Sequence, residues 1–168
     1  MNYFELFEIP VSLKVNATAL VKKYFELQKK FHPDYYSNES EAVQAEVLEK
    51  VAQINKAFKT FKNPDDTIKY VLMQKGLLEE EEKYQLPADF LMEMMELNEA
   101  VADAAMEGDS ALETIKQKMQ TAEEESYLPV KAIIENYQEG ITPESALLQV
   151  KEYYYKKKYL NRLKEQVK

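Results

Sequence analysis

Cysteine is absent from this 168-residue sequence. That excludes a disulfide framework, a thiol nucleophile and any cysteine-based zinc or iron–sulfur site within the chain. Glycine is almost as scarce: Gly76, Gly108 and Gly140 are the only three, too few for a phosphate-cradling loop or a nucleophile elbow. A single histidine removes most of the remaining catalytic constellations. No apolar run approaches the ~18 residues of a membrane span, and the opening MNYFELFEIP lacks the basic-then-apolar layout of a signal peptide. A soluble, cytoplasmic protein is expected.

What is present suffices for a core, since 45% of residues are hydrophobic, in one ordinary domain or two small ones. Charge is placed unevenly. Residues 1–76 carry 11 Lys/Arg and 10 Asp/Glu, net +1, whereas 77–168 carry 11 and 20, net −9. Such an acidic chain is a poor general binder of nucleic acid, whose phosphates need neutralising.

Periodicity predicts an all-α protein, with each glycine punctuating the end of a helix. A short first helix lies within Tyr3 to Phe7. Asn16 caps a second, to about Phe31, whose core stripe is Leu20, Tyr24, Leu27 and Phe31. Its opposite side carries Lys22, Lys23, Glu26, Lys29 and Lys30 within about a third of the circumference, a basic ridge leading to His32. Pro33 places His32 at the helix end. Asn38 with Glu41 suggests a capping box for a third helix with apolar positions from Val43 to Phe61, antiparallel to the second. A fourth runs from about Asp65 to Lys75.

The segment 77–87, LLEEEEKYQLP, breaks the pattern with four glutamates and a proline and is the expected linker between domains 1–76 and 88–168. Three bundle helices follow: about 88–107; then 110–140 with Ser110 and Glu113 as a capping box and, because of Pro129, a kink or break near 125–129; then one from Thr142-Pro143 towards the C-terminus.

A lone histidine at a helix end is ordinarily a solvated cap. Here it stands in Lys30-Phe31-His32-Pro33-Asp34, beside Tyr3-Phe4-Glu5-Leu6-Phe7-Glu8-Ile9-Pro10 and Ile54-Asn55-Lys56-Ala57-Phe58 to Asn63-Pro64. Over residues 1–76 the sequence resembles the J domain, the module by which co-chaperones activate DnaK-type ATPases. The resemblance implies that His32, Pro33, Asp34, Lys22, Lys23, Lys29 and Lys30 contact the chaperone. His32 is then a contact and not a general base, and the chain is not an enzyme; no serine, cysteine or ligand set is placed to join His32 and Asp34 in catalysis.

In DFLMEMMELNEAVADA (89–104), Phe90, Met94, Leu97, Val101 and Ala104 make one core stripe, which leaves Leu91, Met92, Met95, Ala102 and Met106 over. Either the last helix covers them or they form a docking patch ringed by carboxylates. Phe90-Leu91-Met92-Glu93 with Glu96-Leu97 and Glu99 is similar to the scaffold-binding helix of the HscB family, co-chaperones of iron–sulfur cluster biogenesis, and the likeness in length and layout spans essentially the whole chain. It implies that Leu91, Met92, Met95, Glu96, Glu99, Asp103 and, by a looser alignment, Tyr155 contact an IscU-like scaffold protein that is delivered to a DnaK- or HscA-type chaperone. The alternative is a J protein for another client.

Three departures stand out: Thr67 replaces the usual arginine, Pro129 interrupts a helix usually drawn as continuous, and a cysteine-bearing N-terminal extension of some eukaryotic relatives has no counterpart. No metal or cofactor is expected. The tail Tyr153-Tyr154-Tyr155-Lys156-Lys157-Lys158-Tyr159 has the composition of an RNA or membrane contact, but tyrosines at helical spacing are more often core, and neither partner is expected. A monomer is expected, with self-pairing of the methionine patch left open.

Overall fold

The computed structural model describes residues 1–168 and contains helices and turns without a strand. The chain forms two compact units: residues 1–71 with 137–141, and residues 72–136 with 142–168.

In the first unit, α1 (Tyr3–Leu6) is held by a reciprocal box in which Asn2 and Glu5 cap each other's backbone N–H groups. Asn16 caps α2 (Ala17–Lys30) by accepting from the Ala19 N–H at 2.9 Å. α3 spans Glu41–Lys62; α4, Pro64–Gln74, begins in this unit, and its residues 72–74 group with the second. Tyr24 meets Asn55 and Phe58, and Phe31 meets Lys50, so α2 and α3 run antiparallel, as expected. Phe61, buried, gathers the rings of Tyr3, Phe4, Phe7 and Tyr70. The Tyr70 hydroxyl accepts from the Tyr3 N–H at 2.9 Å, tying α4 to the N-terminus.

The α3 cap differs from expectation. Ser40, not Asn38, accepts from the Val43 N–H at 3.3 Å, because residues 37–39 are drawn into a turn by Gln44, whose amide donates to the carbonyls of Ser37 and Glu39. Thr67 is buried, with its hydroxyl 3.1 Å from the Thr60 carbonyl of α3 and 3.0 Å from that of Asn63. It therefore supplies its own polar link between α4 and α3.

In the second unit, α5 (Ala88–Glu107) and α6 (Asp109–Tyr127) are joined by Gly108 alone. Its φ of 109° and ψ of −173° lie where essentially only glycine is unstrained. The reversal is so tight that α6 begins at Asp109, which places Ser110 inside the first turn and prevents the expected Ser110–Glu113 box. Pro129 forms a single 3₁₀ turn, Leu128–Val130, and helical dihedrals continue on both sides into α7 (Lys131–Asn136). The expected break is thus present as this single 3₁₀ turn, which divides α6 from α7. α7 stops at Asn136 and not at Gly140; residues 137–141, which group with the first unit, form a turn in which the buried Tyr137 donates to Glu139 at 2.6 Å.

α8 (Glu144–Glu165) completes the bundle. Its Leu160 and Leu163 pack with Val167 against Phe90, Met94, Leu97, Val101 and Ala104 of α5 and Ile115, Met119 and Ala122 of α6. Every member of the expected α5 stripe is buried. Each large side chain removed from water here contributes roughly 1.5–3 kcal/mol. The segment 77–87 lies against α8: Glu82 pairs with Lys151 at 2.6 Å, and the Tyr84 ring stacks on that of Tyr155 at 4.6 Å.

Candidate interaction surfaces

On the first unit, α2 ends at Lys30, and His32 turns the chain with φ −63° and ψ 126°, the extended state that a following proline favours. Pro33–Tyr36 then form one 3₁₀ turn. His32 caps it: Nδ1 accepts from the Asp34 N–H at 3.2 Å and lies 3.6 Å from the Asp34 carboxylate. Three further side chains hold this loop, none marked by any motif and all signalled only by their place in the fold; within the loop the Ser37 hydroxyl donates to the Asp34 carbonyl at 3.2 Å. The Tyr36 hydroxyl donates to the Lys30 carbonyl at 3.1 Å, and Gln44 anchors the far end. The Asp34 side chain is left 87% exposed.

The lysines of α2 fall into different circumstances. Lys22 and Lys29 are exposed and carry no ion pair. Lys30 lies over the Phe31 ring at 5.4 Å. Lys23 is tied down, 3.4 Å from Glu8 and 3.7 Å from Glu26. Behind the ridge, Asn55 of α3 accepts from Tyr24 at 2.7 Å and from Gln28 at 2.9 Å, fixing the rotation of α2 on the hairpin.

On the second unit, α6 and α8 leave much of α5 uncovered. Met92 is 64% exposed, Met95 60% and Met106 91%; Leu91 is half-buried, and Glu96, Glu99, Ala102 and Asp103 are exposed. The apolar surplus is therefore a surface. Tyr155 is presented differently: it is buried beneath the Tyr84 ring. Burial, with the Glu82 carboxylate next in weight, pushes its hydroxyl up to about 12. Tyr153 and Tyr154 are buried with it, Lys156 pairs with Glu152 at 3.6 Å, and Lys157 lies 3.5 Å from Glu123, so the basic-aromatic tail is bundle structure. No helix is long and apolar enough to cross a membrane.

A family model described as the HSCB C-terminal oligomerisation domain matches residues 86–168. The co-chaperone protein HscB homolog of Colwellia psychrerythraea is 41% identical over 110 residues, which cover 65% of this chain and 63% of that protein, just under two thirds of its length. The homolog from Photobacterium profundum is 37% identical over 122 residues, 71% of each chain. Among solved structures, the chaperone HscB from Vibrio cholerae superposes with a TM-score of 0.76 at 28% identity, over 99% of this chain and 95% of that one. The human co-chaperone protein HscB gives 0.82 at 26% identity, over 99% and 80%.

Proposed function

This chain belongs to the HscB family of co-chaperones, and on that premise we propose that it stimulates ATP hydrolysis by a DnaK- or HscA-type chaperone and delivers to it the scaffold protein on which iron–sulfur clusters are assembled. The observation that carries the reading is the His32–Pro33–Asp34 loop. It is held by Tyr36 and Gln44, leaves its carboxylate exposed, and lies at the end of a helix with two unpaired lysines.

A loop fixed before binding loses little entropy on docking. Asp34 offers a charge-assisted hydrogen bond, while Lys22 and Lys29 steer an acidic partner surface. Lys23 and Lys30 extend the same ridge. Nothing in this loop is arranged for hydrolysis. Its effect on the chaperone is a preference for the conformation that hydrolyses ATP, the way in which a binder shifts such an equilibrium.

Residues 88–168 supply the cargo contact in this reading, through Leu91, Met92, Met95, Glu96, Glu99 and Asp103, with residues 77–87 dividing the two roles. Tyr155 joins that contact only if Tyr84 moves from its face. Both contacts are transient, at the lower end of the usual ~1,200–2,000 Å², and the site of action is the cytoplasm.

Steady-state ATPase measurements on the chaperone test the proposal, using this chain and its His32→Gln variant with and without scaffold. Stimulation that vanishes in the variant and rises with scaffold is expected. Stimulation indifferent to scaffold would assign the chain to another client, and none at all would remove the chaperone reading.

A further inference from the structure

α5 presents three faces. One is the buried stripe from Phe90 to Ala104. A second carries Asp89, Glu93, Glu96, Asp103 and Glu107. On the third, Met92, Met95, Glu99, Ala102 and Met106 follow one another at intervals of three, four, three and four residues. That alternation is a heptad seam, which keeps side chains in line along one side of a helix. It extends about 21 Å at ~1.5 Å per residue. All five side chains are exposed, and Ala102 is small enough for a partner backbone to approach closely. Glu99 is the one charged member.

The residues assigned above to scaffold contact end at Asp103, short of Met106, which is 91% exposed. A partner loop would need only a compact patch; a seam of this length and spacing is matched by another helix.

We propose that the occupant is an α-helix of the partner lying along α5 as far as Met106, with apolar side chains seven residues apart and a lysine or arginine between them opposite Glu99. This deepens the scaffold-binding reading and rests on it. A carboxylate covered by a helix loses its water and requires a cation in exchange. Glu96 and Asp103 call for further basic groups on one edge of that helix. The adjoining groove between α5 and α6 continues the negative rim through Glu93, Glu96 and Glu125, against one cation, Lys118. A second copy of this chain fits poorly, because α5 carries six carboxylates and no lysine or arginine; self-pairing would set carboxylate against carboxylate without compensation.

Calorimetric titration of the full chain with the iron–sulfur scaffold protein tests this, comparing wild type, Met106→Glu and the double variant Leu91→Ala/Met95→Ala. Because Met106 is so exposed, Met106→Glu is expected to keep its helical circular dichroism while weakening binding by about tenfold, and Met106→Leu to bind as wild type. If Met106→Glu binds normally while the double variant is weakened, the contact stops short of the last turns and the helix proposal falls alone. If wild type fails to bind, or neither variant weakens binding, the scaffold reading falls and takes the proposal with it. Sedimentation of the chain alone supplies the other arm: a dimer abolished by Met106→Glu would give the seam to a second copy and overturn the basic partner helix.

Discussion

Tyr36 shows how much of the loop's shape depends on one hydrogen atom. Its hydroxyl is the link from the loop back to the last turn of α2, at the Lys30 carbonyl, while its ring remains half-buried whether or not that bond exists. Tyr36→Phe therefore keeps the packing and frees the loop. A hydrogen bond of this kind contributes ~0.5–1.5 kcal/mol net, so the concentration for half-maximal ATPase stimulation is expected to rise roughly two- to tenfold, with the maximal rate approached at saturation. An unchanged titration would mean that His32 and Gln44 hold the loop without Tyr36. Lys23 teaches a related lesson: it shares the ridge with Lys22 but is already paired with Glu8 and Glu26. Its exchange for alanine should disturb the approach of α2 to residue 8 as well as any contact with a partner.

At the scale of elements, Gly108 and the 77–87 segment carry separate predictions. A β-carbon at Gly108 would meet no atom within 4 Å, so the cost of Gly108→Ala is one of backbone conformation, about 1–3 kcal/mol. The thermal midpoint should fall by roughly 2–4 °C for each kcal/mol, as read by circular dichroism. The 77–87 segment is held on α8 by Glu82, whose carboxyl the Lys151 hydrogen bond keeps below its ordinary 4.5. A lowered folded value means that below pH 4.5 the unfolded chain binds more protons than the folded one. The pair's stabilisation is therefore present above pH 4.5 and lost as acid takes the pH down through the folded value. Wild type should exceed Glu82→Gln in midpoint by the equivalent of roughly 1 kcal/mol near neutrality, and the two curves should converge in acid. A gap that persisted there would trace to something other than the carboxylate charge.

For the whole molecule the deciding property is the separation of charge by sequence region, since a net charge of −8 conceals a near-neutral N-terminal part. On the proposed reading, the two partners, of different surface character, are served without one surface attracting the other's ligand. Exposed charges are screened beyond ~8 Å at 0.15 M salt but act to ~30 Å at 0.01 M. Chaperone stimulation should accordingly require more of this protein as salt rises over that range. The Lys22→Ala/Lys29→Ala variant should flatten the dependence, because those two lysines have no partner within the fold. A titration insensitive to salt in wild type would remove the ridge from the mechanism.

The sequence alone determined the features that local physics dictates. Helical periodicity marked Phe90, Met94, Leu97, Val101 and Ala104 as one buried stripe, Asn16 marked the start of α2, and Pro33 put His32 at its end. Each depends on neighbours within a turn or two. Where local signals competed, another local contact prevailed over the expected cap: Gln44, five and seven residues on, drew residues 37–39 into a turn and moved the α3 cap to Ser40, and the one-residue reversal at Gly108 displaced the expected box at Ser110. Only the tertiary structure decided which apolar residues stay in the open. The same periodicity serves a helix packed on two sides or on three, and it was the placement of α6 and α8 that left Met92, Met95 and Met106 to solvent. Tyr155 went the other way, covered by Tyr84 from a segment that composition alone reads as a linker, because a stacked ring and an ion pair to Lys151 are contacts between residues some seventy positions apart, beyond the reach of any local pattern.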